Sequence, residues 1–370
     1  MRNLISIIFL LANMSLFAQY TDIPDNNFEQ ALFDLSYDDV LGDNQVLTAN
    51  ISSISTLSIS YKNINDLTGI EDFTALSKLF CNGNAITNLD VSSNINLTEL
   101  DCHSNDIANL NISGINLTNL NCRSNELINL DISENTNLTE LFCYSNNLTS
   151  LDVSSNTNIS NLNCRNNQIT SLDISSNINL FELNCNMNQL TSINITGCTN
   201  LNNLQCDWNS ITELDLYTNI SLTNISCINN NSLTLLNIKN GNNNIITDFY
   251  ANNNPNLTCI FVDDAAWSTT NWTNVDVAST FVETQTECDA LDINDITNNN
   301  FSIYPNPTKD NFSINTNNKI ENIKVYDVFG KLIKSYNKQA SYSVSDLVDG
   351  VYLIHIKNEE GIQISRLIIE

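Results

Sequence analysis

Histidine is nearly absent from this chain: 370 residues hold two, His103 and His355, in different segments. No nucleophile–base pair and no set of metal ligands forms around either, so the sequence predicts no enzyme, no cofactor and no metal. Positive charge is scarce too. Lysine and arginine number 14 against 41 acidic side chains, for a net charge of −27. The deficit is local: residues 301–370 hold eight acids and eight bases, while residues 1–300 hold 33 acids and six bases. Such a surface repels nucleic acid and anionic lipid. No basic patch with interleaved aromatics offsets it, and a nucleic-acid partner is excluded. A Cys-x-x-Cys pair is missing, which argues against zinc. Long apolar runs are missing as well. Leu4 to Phe17 gives 14 residues, too short to span a bilayer. With Arg2 before it and Ala18 at the end, residues 1–18 are expected to be a signal peptide.

What is abundant is periodicity. Cys81, Cys102, Cys122, Cys143, Cys164, Cys185, Cys206 and Cys227 are spaced by 21 residues, with one step of 20. Each is followed three residues later by asparagine: Asn84, Asn105, Asn125, Asn146, Asn167, Asn188, Asn209 and Asn230. A period near 21 predicts a solenoid with one coil per repeat. In the coil from Leu138 to Thr157, Leu141 and Cys143 alternate with Glu140, Phe142 and Tyr144. The same alternation returns in Leu151-Asp152-Val153. Two short strands per coil are therefore expected, stacked in two parallel ladders whose successive strands lie about 4.8 Å apart. The frame LxxLxCxxNxLxxLDVSxN recurs in register over residues 51–262 and resembles the leucine-rich repeat, with cysteine at the third leucine position. The resemblance implies about ten coils. Leu57 to Ile70 is similar to an internalin-type repeat, with Lys62 in the asparagine position.

An asparagine both donates and accepts, so each one is expected to satisfy backbone groups of its own and the next coil. The ladder cysteines are expected to be small buried hydrophobes, inert because buried. Asp90, Asp131, Asp152, Asp173 and Asp215 share one outward position, with Asn111 and Asn194 filling it elsewhere. Capping of the following turn is expected of them, and of Asp38, Asp39 and Asp43, rather than calcium binding.

Both ends of a solenoid need covers. At the front, residues 19–50 predict a helical cap. It opens with an Asn26–Glu29 capping box and carries the apolar stripe Phe28, Ala31, Leu32, Leu35. At the rear, residues 263–288 predict a second cap, closed by a disulfide between Cys259 and Cys288. Cys198 is left unpaired in a turn.

Residues 289–300 read as a polar linker. After it come seven short alternating stretches punctuated by Gly and Pro, which predict a small antiparallel β-sandwich over 301–370. Tyr304 to Ile314, Ile323 to Ile333, Leu347 to Ile356 and the final RLIIE make this segment similar to the C-terminal sorting domain of the type IX secretion system. That resemblance implies recognition by the translocon and export across a Gram-negative outer membrane. The chain is thus expected to be mainly β: a solenoid followed by a sandwich, secreted or held at the outer cell surface. Its expected role is to bind a protein or a glycan at a cell surface, with a structural spacer as the alternative. The strand face supplies the candidate contact residues Phe80, His103, Arg123, Phe142, Tyr144, Arg165, Met187 and Trp208.

Overall fold

The structure, a computed structural model, describes residues 19–294, 301–316, 319–328, 330–358 and 361–370. The expected signal peptide lies outside these residues. Two compact bodies divide the chain after Glu283.

In the first body, one short strand per coil, of two to four residues, adds to a parallel sheet. Among the described residues that sheet has eleven strands in chain order, from Thr56–Ser58 to Asn274–Val275. Register is one coil per step, so Leu141 stands opposite Leu120 on one side and Leu162 on the other. All three are buried, as are the cysteines two residues on. Each leucine removed from water in this way contributes about 1.5–3 kcal/mol.

The second ladder is only partly formed. Its strands pair in three separate sheets: Asn88–Asp90 with Asn109–Asn111, Ser171–Asp173 with Ser192–Asn194, and a four-stranded group from Glu213–Asp215 to Thr280–Val282. Leu151-Asp152-Val153, expected as a strand, is extended chain without ladder pairing. The reason lies in the outward column. Where asparagine follows aspartate one coil later, the amide reaches back to the carboxylate: Asn111 Nδ2 to Asp90 at 3.0 Å and Asn237 Nδ2 to Asp215 at 2.9 Å. There the backbone bonds form, from Val91 N–H to Asn111 and from Leu216 N–H to Asn237. Asp131 and Asp152 are instead followed one coil later by Asp152 and Asp173, with no such donor. Like charges directly opposite one another are destabilising, and a cavity of 380 Å³ lies beside Asp152 and Asp173.

Helix Asn26–Asp34 covers the front. Its N-cap is Asp25, which accepts from the N–H groups of Asn27 and Phe28, so the expected Asn26–Glu29 box does not form. Phe28, Ala31 and Leu32 are fully buried, but Leu35 ends the helix exposed. At the rear the repeat continues beyond Val262. Asn274–Val275 and Thr280–Val282 extend the two ladders, and Trp272 packs 4.5 Å from Phe249 and 5.8 Å from Phe281. A helix, Gln285–Asn294, begins the second body where a linker was expected.

In the second body a three-stranded and a four-stranded antiparallel sheet hold the seven stretches read from the sequence, within a residue or so at most ends. Their shared core contains Phe312, Ile323, Val325, Tyr342, Ile354 and Leu367.

Candidate binding surface

Each ladder asparagine ties two coils. Asn146 Nδ2 donates to the carbonyls of Cys143, in its own coil, and Cys122, in the coil before, both at 3.0 Å. Its Oδ1 accepts from Leu127 N–H at 3.0 Å. Asn84, Asn105, Asn125, Asn167, Asn188, Asn209 and Asn230 repeat this pattern. The bonds run to the preceding coil, not the next one as expected. The backbone leaves the strand and turns inward, and the carbonyl it strands there belongs to the coil already laid down. At the rear Asn254 does the same beside Ala251.

A second asparagine column, missed in the sequence reading, lines the opposite turn. Asn94, Asn135, Asn156, Asn177, Asn219 and Asn240 are buried and donate to carbonyls of the preceding coil. The frame ending in SxN was its only signal. Cys198 occupies the same column, buried, with its thiol 3.2 Å from the carbonyl of Ile174. It is a free thiol that stands in for an amide.

The eight ladder cysteines are free and fully buried. Burial pushes the thiols of Cys122 and Cys164 up to about 12 and that of Cys198 up to about 11. Cys259 and Cys288 are each disulfide-bonded. The outward aspartates cap turns: Oδ1 of Asp90, Asp131, Asp152, Asp173 and Asp215 accepts the N–H two residues on, at 2.9–3.1 Å.

The expected contact residues separate into three groups. Phe80 and Phe142 lie in strands, half-buried. His103, Arg123, Tyr144 and Arg165 follow the cysteines. His103 sits 2.5 Å from Asp101, and the Arg123 guanidinium lies 5.5 Å from the centre of the Tyr144 ring, a cation–π contact. Arg165 is exposed, with Nη2 3.6 Å from the Met187 sulfur.

Met187 and Trp208 form the third group, one residue further along the turn. Ten of the eleven coils place that residue in the left-handed region; seven use Gly83, Ser104, Ser124, Ser145, Asn166, Asn229 or Asn253 there, and the first uses Tyr61. At Gly83 a side chain would meet the Tyr61 ring at 2.3 Å. Met187 (φ 56°) and Trp208 (φ 56°) are bulky residues in a conformation that costs about 1–2 kcal/mol. They remain 41% and 58% exposed, so packing does not repay that strain. Backbone geometry, not residue spacing, sets them apart.

Residues 302–370 match the sequence profile of the secretion system C-terminal sorting domain. A 74-residue stretch, 19% of this chain, is 38% identical to internalin J of Listeria monocytogenes and spans 8% of that protein's length. Among solved structures, the functional domain of internalin J from L. monocytogenes, described as including a cysteine ladder, shares 20% identity. That match covers 95% of this chain and 99% of the other, with a TM-score of 0.31. A leucine-rich repeat protein of Leptospira interrogans shares 22% identity, covering 58% and 57%, with a TM-score of 0.44. The first body is thus a parallel β-solenoid resembling leucine-rich repeats, and residues 302–370 are similar to the secretion system C-terminal sorting domain. The sorting domain marks the chain for export, and no helix among the described residues is long and apolar enough to cross a membrane.

Proposed function

We propose that this protein binds a partner at a cell surface through the strand–turn edge of its solenoid, around Arg165, Met187 and Trp208. The observation that carries the reading is the exposure of Met187 and Trp208 on adjacent coils, in left-handed backbone where seven other coils place glycine, serine or asparagine. Strain retained at an exposed site points to a role outside folding. Tryptophan and arginine are also the residue types enriched among dominant interface contacts, worth about 2 kcal/mol or more each. A protein partner fits this anchor set best. A glycan is the second reading, favoured by the row of amides beside it: Asn184 Nδ2 donates to Gln205 Oε1 at 2.8 Å, with Asn163 in the same column. The sorting domain would deliver the solenoid across the outer membrane of a Gram-negative bacterium, to its surface or to the medium. No catalytic step is assigned to it.

The test is the triple variant Arg165→Ala, Met187→Ser, Trp208→Ser, with attachment to cell-surface extracts as the readout. Attachment should fall at least about tenfold while the circular dichroism and the urea midpoint are retained. Unchanged attachment would favour a spacer without a specific ligand.

A further inference from the structure

We propose that Glu29, Asp38 and Asp43 form a calcium site in the N-terminal cap. One carboxylate oxygen from each lies within 4.8 Å of the other two, about the span of two calcium–oxygen bonds of ~2.4 Å on opposite sides of one ion. Glu29 comes from helix Asn26–Asp34, and the two aspartates come from the loop that follows it.

Backbone bonds account for one oxygen of each carboxylate and leave the other unexplained. Glu29 is 1% exposed and Asp38 is 7% exposed. Glu29 uses Oε1 to accept from the N–H groups of Gly42 and Asn44, at 3.0 and 2.7 Å. Asp38 uses Oδ1 for Val40 N–H, and Asp43 uses Oδ1 for Gln45 N–H. Each carboxylate therefore has one oxygen holding the loop and keeps the other for a ligand. Oδ2 of Asp38 is buried with no partner at all. A buried charge left in that state is expensive. Among the described residues, none of the three pairs with Lys, Arg or His.

A divalent cation resolves all of this at once. Hard carboxylate oxygens select calcium or magnesium over softer metals. The loose spacing suits calcium, which accepts flexible geometry, whereas magnesium demands a tight octahedron. Backbone carbonyls or water would complete the shell. The ion would pin residues 38–43 to the helix that seals the first coil.

Calcium chloride titrated calorimetrically into the chelator-treated full chain at neutral pH tests the assignment. One ion per chain is expected, with Kd about 10⁻⁴–10⁻³ M, the range of extracellular modules. Asp38→Asn and Asp43→Asn should each weaken binding at least tenfold, and Asp152→Asn should leave it unchanged. In chelator, Asp38→Asn should melt at or above the wild-type temperature, because it removes a buried charge. In millimolar calcium that order should reverse, which separates lost binding from misfolding. No saturable binding by the wild type overturns the proposal. So does wild-type affinity in Asp38→Asn, or loss of binding in Asp152→Asn instead.

Discussion

Asn167 holds three backbone groups at once: its amide donates to the carbonyls of Cys143 and Cys164 and accepts from Leu148 N–H. Leucine at that place would fill the space and orphan all three. Asn167→Leu is expected to lower stability by at least about 1–3 kcal/mol, the cost of unpaired buried polar groups, seen as a lower urea midpoint. The left-handed turn makes the opposite prediction. Trp208→Gly should raise stability by about 1 kcal/mol, since glycine adopts positive φ without a steric penalty. The same change should abolish attachment, and a stability gain with attachment retained would break the link between strain and binding. The two sites differ in how openly the sequence shows them. The first asparagine column is legible because one side-chain chemistry recurs at one spacing. The left-handed column is not, because Gly83, Ser104, Asn166, Met187 and Trp208 share a backbone conformation and nothing else.

At the scale of the strand, identical repeat frames do not give identical pairing. The frame around Leu151 reads as well as any other in the array, yet it forms no ladder bond. Alternation of apolar and polar residues reports which side chains point inward. It does not report whether an outward neighbour one coil away can accept a charge. Aspartate followed by asparagine closes the ladder at Asp90–Asn111, Asp173–Asn194 and Asp215–Asn237. Asparagine followed by aspartate leaves it open at Asn111–Asp131 and Asn194–Asp215. Where aspartate is one of the pair, the donor must sit on the later coil and reach back; Asn237–Phe261, with no carboxylate, closes without one. Asp152→Asn should therefore close one step only. Ile132 N–H should gain protection from hydrogen exchange while Val153 N–H stays fast, and stability should rise by about 0.2–1 kcal/mol, the worth of a cross-strand pair. Protection of both amides, or of neither, would refute the directional rule.

Across the whole molecule the division into solenoid and sandwich was readable, because each half has its own period: 21 residues for the coils, and two residues within short strands for the tail. The metal-ligand set in the cap was not readable, since Glu29 and Asp43 meet only after the chain has folded back. Nine free thiols buried along one body give that body a common response to alkali. In the unfolded chain these thiols ionise near the usual 9.0, whereas in the folded array Cys122 and Cys164 ionise only at about 12. Below pH 9 both states keep their protons, and the thiols do not alter stability. Above pH 9 the unfolded chain loses protons that the native one must keep, so stability falls by about 1.4 kcal/mol per pH unit for each thiol exposed on unfolding. A urea midpoint that is flat from pH 7 to 8.5 and falls steeply between pH 9 and 10 is the expected outcome. The slope then counts the coils that open together. About 1.4 kcal/mol per unit means one coil frays alone, and several times that value means a cooperative block. The double variant Cys143→Ala, Cys164→Ala should flatten the slope by two thiols' worth if those coils belong to the block. A slope indifferent to removing any of the ladder cysteines would show that alkali acts elsewhere.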